Sequence, residues 1–139
     1  MAKRNILIYG KGNVGKTTII NLLYHKLKDR DANSVIYREW KPLGKKEDND
    51  FTITITYKGK SIVLYSAGDK AEFIDEAIDI GRNFDILVCT CNMRLYQTYK
   101  NKFNKEIKKK QYRKNISEKN EKLAEEIIDI IEEVIQEIQ

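Results

Sequence analysis

The chain has 139 residues, 41% of them hydrophobic, and a formal net charge of +5, which bounds it to one globular domain with one core. No apolar run reaches membrane-spanning length, and residues 1–4 lead straight into a strand without room for a signal peptide, so a cytosolic protein with no membrane partner is expected. The charge is uneven, with residues 100–114 densely basic and residues 118–137 mostly acidic, so the overall balance says little about partners.

Asn5-Ile6-Leu7-Ile8-Tyr9 reads as a buried parallel strand, and residues 17–27 carry Ile19, Ile20, Leu22, Leu23 and Leu27 at helical spacing. Between them, Gly10-Lys11-Gly12-Asn13-Val14-Gly15-Lys16-Thr17 fits the pattern G-x-x-x-x-G-K-[ST]. A glycine-rich turn joining such a strand to such a helix is the context that a phosphate-binding loop requires; a chance turn is the alternative. Gly10, Gly12 and Gly15 let the backbone wrap an anion with its N–H groups turned inward, and the helix start adds its positive dipole end. Lys16 is expected to reach the β- and γ-phosphates as a point charge, and the Thr17 hydroxyl to hold Mg²⁺. Lys11, Asn13, Val14 and Thr18 complete the residues expected to line the ligand, ATP or GTP.

Residues 34–37 form a short strand candidate. A polar stretch over 38–50 reads as a loop holding the only proline and the only tryptophan. In it, Arg38, Trp40 and Lys41 can meet a base or a partner or simply cover the sheet edge, and Glu47, Asp48 and Asp50 either approach Mg²⁺ or keep the loop solvated. Residues 51–57 alternate strictly, as an edge or half-buried strand does. Lys58-Gly59 is a two-residue turn into the apolar run 61–65, giving a hairpin. After a turn at 66–69, Phe73, Ile74, Ala77 and Ile78 mark a second helix that stops at Gly81, and residues 84–91 read as a central parallel strand. Cys89 and Cys91 share one face of that strand and read as reduced core thiols; His25 lies far from them in sequence, and zinc is not expected.

No further strand is expected beyond Asn92. Residues 95–112 read as a long polar helix, and Ser117 as the N-cap of a last helix. The stripe Leu123, Ile127, Ile130, Ile131, Val134, Ile135 and Ile138 on that helix needs cover from the sheet or from a second subunit, so a homodimer is expected. Lys100, Lys102, Lys105, Lys108, Lys109, Lys110, Arg113 and Lys114 can track a nucleic-acid backbone or face the acidic last helix; the second reading needs no ligand and is preferred. The expected fold is α/β in three layers: a mostly parallel sheet with one antiparallel hairpin strand and helices on both faces. Residues 1–92 form the core of the single domain, and residues 93–139 the C-terminal helices.

From Ile6 to Cys91 the chain resembles a P-loop NTPase, and its element order is similar to that of a small Ras-like G domain. In that family the strand before the second helix ends in D-x-x-G, whose aspartate supports Mg²⁺; here the stretch is Tyr65-Ser66-Ala67-Gly68. The resemblance makes Asp69 the nearest replacement, a metal-side and catalytic residue beside Lys16, with N-capping of the second helix as its other reading. Gly68 would offer its N–H to a γ-phosphate. Asn101-Lys102-Phe103-Asn104 resembles the guanine-reading N-K-x-D with its aspartate lost and is read as coincidence, which leaves ATP favoured by default. Lys11 makes the loop similar to the deviant one of the ParA, MinD and nitrogenase iron-protein group, which implies a lysine reaching across a dimer; Asn13 departs from that pattern. Ser66-x-Gly68-Asp69, the run 85–89 and Arg94 together look like a set of small bacterial and phage P-loop proteins, which implies a phosphate or substrate contact for Arg94, against a surface arginine capping the strand end.

The resemblance implies a nucleoside triphosphate-binding protein with slow Mg²⁺-dependent hydrolysis. The alternatives are a nucleotide or small-molecule kinase, for which Arg82, Arg94 and Arg113 form no lid-like cluster, and a nucleotide-gated interaction protein without significant turnover.

Overall fold

The computed structural model describes residues 4–12, 14–43 and 50–138, with the side chains of 37–40 left aside. Among the described residues it is an α/β protein with a six-stranded mixed sheet and four α-helices. In chain order these are β1 (Asn5–Gly10), α1 (Lys16–Arg30), β2 (Ile36–Leu43), β3 (Asp50–Tyr57), β4 (Lys60–Tyr65), α2 (Ala71–Gly81), β5 (Ile86–Asn92), α3 (Met93–Tyr99), β6 (Lys105–Lys108) and α4 (Ile116–Glu137). The strands lie in the order β2-β3-β4-β5-β1-β6. β4, β5, β1 and β6 are mutually parallel, while β3 runs antiparallel between β2 and β4.

The continuous apolar runs of β1, β4 and β5 are buried on both faces, as strands covered by helices on each side must be. One face packs Ile6, Ile8, Ile53, Ile62 and Val88 under α1 and α4. The other packs Val63, Tyr65, Leu87 and Leu7 under α2 and α3. The turn between β3 and β4 has positive φ at both Lys58 (50°) and Gly59 (80°), the backbone of a type I′ hairpin.

Several expectations are corrected. A sixth strand exists beyond Asn92: β6 pairs with β1 on the side away from β5. The long polar helix is therefore two pieces, α3 and this strand, joined through a 3-10 turn at Lys100–Lys102. The strand expected at 34–37 is displaced and longer: β2 takes in residues 38–43 of the expected loop, as an edge strand with register irregularities against β3. β3 is thereby interior, with Phe51, Thr52, Ile53, Thr54, Ile55 and Tyr57 all buried. The last helix starts from Asn115 in the left-handed region (φ 52°) with no side-chain cap, in place of Ser117. Its stripe is covered within the chain: Leu123, Ile127, Ile131, Val134 and Ile135 are buried in the core cluster shared with α1 and the sheet, with Ile130 and Ile138 packed at its rim. Of the two covers expected for the stripe, the sheet or a second subunit, the chain itself supplies the first.

The acidic face of α4 pairs chiefly with α1 and the hairpin. Lys26 meets Glu121 and Glu125, Arg30 meets Glu125, and Lys58 meets Glu132 at 3.0 Å; from the basic stretch, Lys105 reaches Glu137 at 4.0 Å. No helix among the described residues is long and apolar enough to cross a membrane.

Candidate functional site

At β1 the connections diverge: the chain leaves it through α1 on one face and passes from β5 to β6 through α3 on the other. The carboxyl end of β1 is thus a topological switch point, where an open α/β sheet forms its ligand crevice. Because β3 is antiparallel, its first residue, Asp50, arrives at this same end, beside Ser66 at the exit of β4.

The glycine-rich turn stands at the crevice. Gly15 adopts φ 96°, a left-handed conformation that favours glycine, and it starts α1 without a side-chain cap. The first N–H groups of a helix have no partner within it, so those of α1 are donors for an anion at this end. Gly10 is fixed for a different reason, since a Cβ there would collide with the Lys109 carbonyl oxygen. Gly12 and Lys11 are exposed, Val14 is half-buried, Thr18 is exposed, and Asn13 lies outside the described residues.

Lys16 is 7% exposed, and its ammonium donates to the Gly10 carbonyl at 3.0 Å and the Lys11 carbonyl at 2.7 Å. Burial pushes its pKa below the usual lysine value, against the pull of Asp69 and, less, of Cys91 and Asp50. Thr17 donates its hydroxyl proton to Asp50 Oδ1 at 2.7 Å, and the Ser66 hydroxyl lies 3.5 Å from the same oxygen. Asp50 is 8% exposed, so this carboxylate belongs to the interior of the crevice and not to a solvated loop. Donation of its only proton to Asp50 leaves the Thr17 hydroxyl both lone pairs for a cation. Glu47 and Asp48, expected in the same acidic group, lie outside the described residues, as does the Trp40 side chain; Lys41 is exposed.

Tyr65 stands where the resemblance places a metal-side aspartate, and its ring is buried against the α2 layer with Val63 and Leu87. The strand turns that position away from α1, so a carboxylate there would not face Thr17. Burial pushes the Tyr65 phenol well above its usual range. Gly68 is buried, and its carbonyl accepts from Asn92 N–H at 2.9 Å; a Cβ would drive into the Thr90 carbonyl.

Asp69 is exposed at the mouth. It does not cap α2, whose N-cap is Lys70 without a side-chain bond, so its capping reading is corrected. Its carboxylate instead accepts from Asn92 Nδ2 at 3.4 Å, its carbonyl accepts from the Arg94 guanidinium, and Asn92 Oδ1 accepts from Arg94 N–H at 3.3 Å. Asn92 Nδ2 lies 3.5 Å from where a Cβ on Gly12 would be, which ties this group to the loop. Cys91 lies near Lys16 and Arg94, but burial raises its thiol to about 11, so it stays protonated at neutral pH and is no nucleophile. Asn101-Lys102-Phe103-Asn104 precedes β6 at its amino end, opposite the crevice, where Asn104 and Lys102 bind Asn5.

Asp50, one of three acidic residues the sequence offers in that stretch, is buried at the start of β3 and is the one the sheet brings to Thr17. Lys109 carries no signal for this site in the sequence, because it sits in a basic run that masks the end of β6. Lys109 is 3% exposed, and its side chain lies 3.8 Å from the position of a Cβ on Gly15. Among the described residues no group of three or more His, Cys, Asp or Glu side chains gathers as a metal cage, so a cation here would rely on Thr17, a carboxylate and oxygens of its ligand. Comparison with protein-family models, curated proteins and solved structures finds no match to this chain.

Proposed function

We propose that this chain is a P-loop protein that binds a nucleoside triphosphate, ATP as first candidate, with Mg²⁺ on residues 10–17 and hydrolyses it slowly. One observation carries the reading: a lysine that is 7% exposed lies against the uncapped start of α1, its charge met by two loop carbonyls and by no carboxylate of the described residues within ion-pair distance. Such a group costs stability in the free protein and is relieved by an anion. In this reading Lys16 and the helix N–H groups hold the phosphates, and Thr17 ligates Mg²⁺ with Asp50 orienting its hydroxyl. Magnesium, when bound, neutralises phosphate charge as it develops. Asp69, held by Asn92 and Arg94 at the mouth, is the group available to orient a water; its solvent exposure suits slow turnover.

Calorimetric titration of ATP and GTP with and without Mg²⁺, combined with a phosphate-release assay, tests this. Lys16→Ala is expected to weaken triphosphate binding by about a hundredfold or more while its melting temperature holds or rises, because a desolvated charge is gone. A folded Lys16→Ala protein that binds both nucleotides as the wild type does overturns the reading.

A further inference from the structure

Lys109 is buried, as Lys16 is, and its backbone fixes it at the loop. Its N–H donates to the Tyr9 carbonyl at 2.7 Å, extending the β6–β1 ladder, and its carbonyl fills the space beside Gly10. From this anchor the side chain runs along the loop, with Cε and Nζ each 3.8 Å from the position of a Cβ on Gly15. The ammonium ends 3.8 Å from the Tyr112 ring centroid and donates to the Lys110 carbonyl at 2.6 Å. Burial and, second, the charge of Lys16 push its pKa down. An ammonium has three protons to donate, and no carboxylate of the described residues lies within ion-pair distance of this one. Two like charges in one dry corner oppose folding, and an apolar side chain of the same length would relieve the corner. A polyanion lying between them reverses the sign.

We propose that Lys109 is a second phosphate-contacting lysine, gripping a polyphosphate together with Lys16 across the Gly15 turn, with the Tyr112 ring holding its ammonium over the loop. The proposal rests on residues 10–17 being a phosphate loop, and it deepens that reading by adding a phosphate contact from β6, outside the glycine-rich motif. The sheet supplies the second lysine: β6 lies beside β1 on the side away from β5, so its end delivers Lys109 to the flank of the loop opposite Asn92.

The test titrates inorganic tripolyphosphate, inorganic phosphate and Mg-ATP into the wild type, Lys16→Ala, Lys109→Met, Lys109→Arg and Lys110→Met, with a thermal melt of each. Lys109→Met is expected to weaken tripolyphosphate and Mg-ATP by about tenfold or more and to change inorganic phosphate little. Lys110→Met, at an exposed neighbour, is expected to stay within about twofold. A folded Lys109→Met that binds tripolyphosphate as the wild type does, while Lys16→Ala has lost it, overturns this proposal alone; a wild type that binds neither tripolyphosphate nor Mg-ATP overturns the loop reading with it. Should Lys109→Met not fold, the wild-type Lys109 ammonium resonance, assigned by its loss in Lys109→Arg, decides by NMR. It is expected to shift as tripolyphosphate saturates the protein, and a resonance that stays in place overturns the proposal.

Discussion

Thr17 and Asp50 are 33 positions apart and meet at 2.7 Å, a contact that only an antiparallel β3 can create, because its first residue then lies at the carboxyl end of the parallel strands. Asp69 reaches the same crevice from the α2 side but stays in solvent. Burial makes a carboxylate's charge count for more, so the two residues are expected to differ in how they support a metal. Asp50→Asn is expected to remove most of the Mg²⁺-dependent gain in triphosphate affinity, by about tenfold or more, and Asp69→Asn to remove less. Titrations with Mg²⁺ and with EDTA measure this, and the reverse ranking would assign the metal side to Asp69. The residues of G-x-x-x-x-G-K-[ST] were legible in the sequence because one short motif carries them. Asp50 was legible only as one of three acidic residues in a polar stretch, and Lys109 not at all, because each is an ordinary charged residue until the sheet brings it to the loop.

Elements were legible where apolar period and turn chemistry agreed. β1, α1, the Lys58-Gly59 hairpin, α2 and β5 each carry a continuous run or a clear period, and the structure keeps them with shifts of a few residues at their ends. β6 failed because Lys105-Glu106-Ile107-Lys108 holds one apolar residue; charged side chains on an edge strand guard it against pairing with another chain and erase the strand signal. Of the helix expected over residues 95–112, only the first part forms, in α3, which ends at Tyr99. Glycines separate the needs of the fold from those of the ligand. A Cβ on Gly68 would strike the Thr90 carbonyl in β5, whereas one on Gly12 meets, among the described residues, only Asn92 Nδ2 at 3.5 Å. Gly68→Ala is therefore expected to cost about 3 kcal/mol and lower the melting temperature by about 10 °C. Gly12→Ala is expected to melt with the wild type and bind triphosphate more weakly, since its methyl group stands on the exposed side of the loop. Calorimetric melts and titrations of both check this, and equal losses of stability would remove the distinction.

For the whole molecule, the position of α4 decides what assembly requires. Its stripe lies against α1 and the sheet, and its acidic face is tied to Lys26 and Arg30 on α1 and to Lys58 on the hairpin. These ion pairs lie at the surface, so each adds little; together they fix which way the helix faces while the burial of Ile127, Ile128 and Ile131 holds it. The large hydrophobic residues left exposed among those described are Val35, Ile36 and Ile116, at the start of the β2 edge and of α4. Scattered side chains of this kind do not demand a partner. Without nucleotide the protein is expected to be a monomer by light scattering at high concentration, and a constant dimer mass would mean that a surface other than the α4 stripe pairs. Lys11 is exposed beside the loop and free to serve a second subunit, as its resemblance implies. If it does, Mg-ATP is expected to double the mass, and Lys11→Ala to block that change while leaving monomer binding within about twofold. A mass that stays monomeric with Mg-ATP bound confines Lys11 to its own chain.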